Sequence, residues 1–296
     1  MRRAFTLLEI VFVLILTAIL ASIGNDIIFQ AYENYLLSQQ LATSLSHTQV
    51  ATEEIAKRLE RRVRESAVSI LDKDHPTTIE PLANHDQSHT IIAWIGRAYE
   101  ARRGEYNGSV NYPGWSGFVD LKESNKSQLV TKGDDLRIAT RIIEPIYETN
   151  LSQPNNGCAV IFQTWPGDEP HIAYGWLSIL GTPPTHIFTV HAQNSHTLLY
   201  DSITPSRIWE HYYLACSAYA IVPETDAKGK TDLYLYYNFR PWMGESLNDA
   251  KKALLLQNVT IFDFKKTQRT IEIRLCANAS LSSEINATLC SKKVIF

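Results

Sequence analysis

From Phe5 to Ile23 the chain is apolar at every position except Thr6, Glu9, Thr17 and Ser22. As a helix this run spans roughly 28 Å, close to the hydrocarbon thickness of a bilayer. Gly24-Asn25-Asp26 then marks the membrane exit. Apolar positions resume at helical spacing: Ile28, Tyr32, Tyr35, Leu36, Leu45, Ile55, Leu59 and Val63. Over "EEIAKRLERRVRE" four opposite-charge pairs stand four residues apart: Glu53–Lys57, Glu54–Arg58, Glu60–Arg64 and Arg61–Glu65. "DKDHP", Asp72 to Pro76, stops the pattern. The spacing predicts one stem over 5–72, membrane-spanning over about 5–24, whose apolar face after Ile28 packs on a sheet.

Beyond Thr77 the period changes. Short runs of β-branched and aromatic residues alternate with Gly, Pro and Asn: "TIIAWIGRAY", "GFVDL", "LRIATRIIE", "CAVIFQTW", "HIAYGWLSIL", "HIFTVHA", "TLLY", "YYLACSAYAIV", "TDLYLYYNFRPW", "VTIFDFKK" and "TIEIRLCA". These predict a meandering, mostly antiparallel β head over 73–296. "SLNDAKKALLLQ" reads as a short helix with Ser246 as its N-cap. The fold class is α+β: a long N-terminal helix on a mostly antiparallel sheet.

Composition changes this picture little. Of 296 residues 45% are apolar and 20% charged, so a core can form. A net charge of −3 gives no general case for a nucleic-acid partner, and the interleaved glutamates make the basic run at 57–64 a solvated helix face. Charge does set topology. Arg2 and Arg3 precede the apolar run and no Lys or Arg follows until Lys57. The positive-inside bias therefore holds the N-terminus in the cytoplasm and sends the head outward. Four cysteines, Cys158, Cys216, Cys276 and Cys290, form no C-x-x-C. In an oxidising compartment they fit two disulfides, with three complete pairings open. Cys276–Cys290 would close the shortest loop, leaving Cys158–Cys216.

Glu9 is the anomaly. A carboxylate in a membrane helix costs a few kcal/mol and calls for a partner. The stretch "RRA|FTLLEIVFVL" resembles the N-terminus of type IV pilins and type II secretion pseudopilins, which share a short basic leader, a cleavage point before Phe and a Glu five residues into the mature chain. The resemblance implies a leader over 1–4, cleavage between Ala4 and Phe5 by a prepilin peptidase, and N-methylation of Phe5. The family usually has Gly before the cut; here it is Ala4, also small. It further implies that Glu9 of one subunit faces the Phe5 ammonium of its neighbour and sets register. The pair would be strongly oriented in low dielectric. The implied partners are other pilin or pseudopilin subunits, the inner membrane and an assembly platform protein, with no cofactor. The implied function is a non-enzymatic minor subunit at the filament tip, its head periplasmic. The stretch around "LLLQNVTIFDFKK…TIEIRLCA" is loosely similar to the late hairpin of large J-type or W-type minor subunits. The alternatives are a filament-borne adhesin or a DNA-uptake subunit.

Other chemistry is sparse. "KGKT" (Lys228–Thr231) lacks the leading Gly of a phosphate loop, and "GWSG" (Gly114–Gly117) lacks the G-x-S-x-G spacing. His171, His186, His191 and His196 cluster in sequence without convergent ligand spacing, and Asp134-Asp135 of "KGDD" reads as a turn, so no metal site is expected. Six Asn-x-Ser/Thr sites remain: Asn107, Asn125, Asn150, Asn258, Asn278 and Asn286. Four carry Glu two residues earlier: Glu105, Glu123, Glu148 and Glu284. With 31 acids in 296 residues, composition predicts roughly 0.6 such cases. The pattern resembles the extended acceptor of a bacterial oligosaccharyltransferase. N-glycosylation is therefore expected at Asn107, Asn125, Asn150 or Asn286, and not at Asn258 or Asn278.

Overall fold

The computed structural model describes residues 7–73, 78–84, 88–106, 111–167, 169–280 and 286–296. Its first element is a 54-residue helix, α1 (Leu7–Glu60), about 80 Å long. It runs without a break through Gly24-Asn25-Asp26. Thr17 stays within the helix because its hydroxyl donates to the carbonyls of Val13 and Leu14, at 2.9 and 3.0 Å.

Strands β1 (Val68–Ile70), β2 (Ile79–Pro81) and β3 (Ile91–Gly96) follow. Next come the β4–β5 hairpin (Glu105–Tyr106, Asn111–Tyr112), β6 (Gln128–Val130) and helix α2 (Leu136–Tyr147). Then come β7 (Ala159–Phe162), the short helix α3 (Pro170–Ala173), β8 (Phe188–Ala192), β9 (Thr197–Tyr200) and β10 (Tyr212–Ala215). The C-terminal part holds β11 (Ser217–Thr225), β12 (Thr231–Phe239), β13 (Lys251–Leu256), β14 (Val259–Thr267), β15 (Thr270–Ser280) and β16 (Asn286–Ile295). They form a six-stranded sheet in the order β13-β12-β11-β3-β1-β2, a five-stranded sheet β10-β7-β8-β9-β6 and a three-stranded sheet β14-β15-β16. All the strand pairings in these sheets are antiparallel, so the α+β fold class holds.

β3 explains how the layers meet. All six of its residues are buried, so it is covered on both faces. Alternate side chains point to opposite faces of a strand. Ile92 and Trp94 pack with Ile55, Ala56 and Leu59 of α1 and with Ile273 and Leu275 of β15. Ile91, Ala93 and Ile95 face the other way, against Tyr174, Trp176, Phe239 and Trp242. The last turns of α1 thus lie between the six-stranded and three-stranded sheets. A third cluster joins α2 to the five-stranded sheet.

Several expectations are corrected. The stem ends at Glu60 rather than near Asp72. After Arg62 forms a bridge to Gly96, the chain turns at Glu65 (φ 65°), and Val68–Ile70 joins β3 as a strand. Of the four helical ion pairs only Arg58–Glu54 forms, at 2.7 Å. Arg61 pairs with Glu100, Glu65 with Lys266, and Glu53 with Lys293; contacts across the fold outcompete the helical ones. The head likewise begins near residue 61 rather than at 73. The apolar face after Ile28 stays exposed until Thr48, where burial begins.

"LRIATRIIE" is helix α2 and not a strand. Asp135 caps it, accepting from the Arg137 amide at 3.0 Å, and Leu136, Ala139, Ile143 and Tyr147 make its buried stripe. "HIAYGWLSIL" is α3 followed by a 3-10 turn at Ser178–Leu180. "SLNDAKKALLLQ" is helical only over Leu247–Asp249, where Ser246 and Asp249 form a capping box; the rest is β13. "GFVDL" contributes only the bridge Phe118–His211. The strand β16, "NATLCSKKVI", was not anticipated.

Candidate functional site

The feature that needs a function is α1. Its N-terminal part is apolar and uncovered: Leu7, Phe12, Leu14, Leu20 and Ile23 are each more than half exposed. An 18-residue window here has mean hydropathy 2.6, with none of it buried. The helix is thus long and apolar enough to cross a membrane. Glu9 lies on it, at an exposed position in its first turn. Ala4 and Phe5 lie outside the described residues.

The exposed apolar surface does not stop with the run that fits a membrane. After Asn25-Asp26 come Ile27, Ile28, Phe29, Tyr32 and Tyr35, each between 59% and 69% exposed, and then Leu36. From Leu7 to His47, some 60 Å of helix, no side chain is fully buried.

The C-terminal end is fixed. Cations gather where α1 leaves its last carbonyls unpaired and its dipole is negative. Arg97 donates to the carbonyls of Glu60 (2.9 Å) and Arg61 (3.1 Å), and Arg62 to that of Leu59 (2.7 Å). Arg58 lies over the Tyr219 ring at 5.3 Å and Arg61 over Tyr99 at 4.4 Å, stacking that adds to the hold. Burial pulls the Arg62 and Arg97 guanidinium groups below the ordinary arginine range. At Gly96 a Cβ would meet the Tyr219 ring at 2.3 Å, so that residue must be glycine for Tyr219 to sit under Arg58.

The cysteines form Cys158–Cys216 and Cys276–Cys290. The second joins directly opposed residues of β15 and β16; the first lies in the core of the five-stranded sheet. The acceptor sites divide by location. Asn125 is exposed at a tight turn, its side-chain oxygen accepting from the Ser127 and Gln128 amides. Asn150 follows α2 and accepts from the Ser152 amide. Glu123 and Glu148 are paired with Lys132 and Lys251. Asn278 lies within β15 and accepts from the Thr288 hydroxyl at 2.8 Å, and Asn258 has φ 55° between β13 and β14. Asn107 and Glu284, and the side chains of Glu105 and Asn286, lie outside the described residues.

The histidines do not converge. His191 pairs with Asp201 at 2.6 Å, His196 stands 3.7 Å from Asp134, and the His186 Nδ1 meets the Thr185 hydroxyl. Among the described residues no group of three or more His, Cys, Asp or Glu is placed to hold a metal. "KGDD" makes the expected turn at Lys132–Gly133 and also supplies the α2 cap, Asp135, and a fully buried carboxylate, Asp134. Its Oδ1 accepts from Thr131 (3.0 Å), and its Oδ2 accepts from the Ser116 amide (3.2 Å), the Ser116 hydroxyl (3.3 Å) and Tyr212 (3.4 Å). Burial pushes its pKa up to about 6, against the pull of the Ser116 and Thr131 donors and of His196. Compared with protein-family models, curated proteins and solved structures, the chain matches none.

Proposed function

We propose that this chain is a non-enzymatic minor pilin or pseudopilin, processed at Ala4–Phe5, inserted in the inner membrane and assembled through α1 into a type IV pilus or type II secretion pseudopilus. One observation carries the reading: the uncovered apolar surface of α1 outruns a membrane. Leu7 to Ile23 covers about 25 Å and satisfies a bilayer. A simple anchor has no use for Ile27 to Leu36, ten residues of mainly aliphatic and aromatic character beyond Asn25-Asp26. Exposed apolar surface of this extent marks an interaction site, and neighbouring helices of the same kind in a filament core would cover it. The clamp at the other end of α1 would transmit that packing rigidly to the head. Two disulfides suit a periplasmic head.

The test is processing followed by assembly. Intact mass of membrane-extracted protein is expected to begin at methylated Phe5. A chain beginning near Asn25 would instead mean removal of a secretory signal. Glu9→Val should insert in the membrane at least as well, since it removes a charge, and should be missing from filaments. Normal incorporation of that variant would refute the register role.

A further inference from the structure

Where α1 ends, the head leaves a cavity of about 580 Å³, a volume typical of small-molecule sites. It lies between the loop after α1, the loop after β7 and the turn joining β14 to β15. Ala67 and Ile271, both buried, give it an apolar floor. Trp165 and Phe296 stand at it with 66% and 83% of their surface exposed.

Its charge is one-sided. Arg62, Arg64, Lys266 and Arg269 line it against a single acidic side chain, Glu65, and Glu65 is held by Lys266 at 2.5 Å. Arg62 is the unusual member, only 8% exposed. One of its five donors reaches the Leu59 carbonyl, which accounts for a helix-capping role and no more. Among the described residues no ion pair within 4.0 Å involves Arg62, Arg64 or Arg269, although Glu65 attracts Arg62 from farther away. An arginine residue that is nine-tenths buried at the edge of an open cavity, with two further arginines at the same opening, fits a carboxylate, which arginine receives in a two-pronged geometry.

We propose that this cavity binds an acidic saccharide, a sugar ring bearing a carboxylate. The guanidinium groups would receive the carboxylate, and the Trp165 face would take the C–H face of the ring. Gln163 and Thr164, also at the cavity, offer an amide and a hydroxyl to the sugar hydroxyls. A bare inorganic anion would leave Trp165 and the apolar floor unused. The proposal does not depend on filament assembly and is tested on the isolated protein.

Full-length protein in detergent is titrated calorimetrically with trigalacturonate, maltotriose, inorganic phosphate and a Glu-rich peptide. Saturable binding is expected for trigalacturonate alone, weakening with salt. Arg269→Gln and Trp165→Ala, both at exposed positions, should retain the wild-type melting temperature and weaken binding about tenfold or more. Several results would overturn the proposal: no saturable binding of trigalacturonate, binding of maltotriose or phosphate as tight as the acidic sugar, peptide binding at least as tight, or wild-type affinity in both variants.

Discussion

Asp134 offers a stability test with a definite sign. It is fully buried beneath Ser116, Thr131 and Tyr212, and burial raises its pKa from 3.8 to about 6. Between those values the folded protein holds a proton that the unfolded chain has released. Stability must therefore fall as pH rises through this window. The contribution is fully present below about pH 4, is lost by the time pH passes about 6, and amounts to about 3 kcal/mol at 1.36 kcal/mol per pH unit. Asp120 and Asp135 act oppositely, because hydrogen bonds from Lys132 and Arg137 hold them below the ordinary range. The informative quantity is accordingly the difference between wild type and Asp134→Asn, in which those groups cancel. Asn keeps an acceptor for Thr131 but turns an amino group toward the Ser116 amide, so the variant is weaker by a constant offset. The slope with pH is the readout. Urea unfolding of the full chain in detergent, followed by tryptophan fluorescence from about pH 4 to about pH 8, should show the wild-type advantage shrinking by about 3 kcal/mol. His196→Gln in both backgrounds removes the neighbouring imidazole. A difference that stays flat, or grows with pH, would mean that the three donor residues outweigh burial, and the reasoning fails.

The docking of α1 predicts that Leu59→Ala, at a fully buried position, costs about 2–5 kcal/mol in the same assay. Val50→Ala, 64% exposed about two and a half turns earlier on the same helix, should change stability by under about 0.5 kcal/mol. Replacing Cys276 and Cys290 together by Ser opens a loop of sequence separation 14 and should cost about 3 kcal/mol; replacing Cys158 and Cys216, at separation 58, should cost about 4 kcal/mol. Glycopeptide mass spectrometry from a host with an oligosaccharyltransferase of the acidic-acceptor type should find sugar on Asn125 or Asn150 and none on Asn258 or Asn278; sugar on Asn258 with none on the Glu-preceded sites would refute it.

The sequence by itself determined the features that rest on local pattern. The apolar run to Ile23 needs only length and side-chain type. Three strands of the six-stranded sheet, β3, β11 and β12, were legible because their residues are β-branched or aromatic and flanked by turn formers, whereas β1, β2 and β13 were not. The capping role of Ser246 was legible for the same local reason. The cysteines restricted the disulfides to three pairings, and the register of β15 on β16 set Cys276 opposite Cys290. Tertiary structure decided the rest. Residues 61–65 carry helical charge spacing, yet Arg61 and Glu65 find better partners in Glu100 and Lys266, 39 and 201 residues away. "LRIATRIIE" has strand-like composition, and the Asp135 cap with a one-sided stripe made it a helix. The burial of Asp134, and the meeting of Arg62 with Trp165 at one cavity, join loops far apart in sequence. Such sites have no local signature, because the desolvation that gives them their chemistry exists only once the sheets have packed.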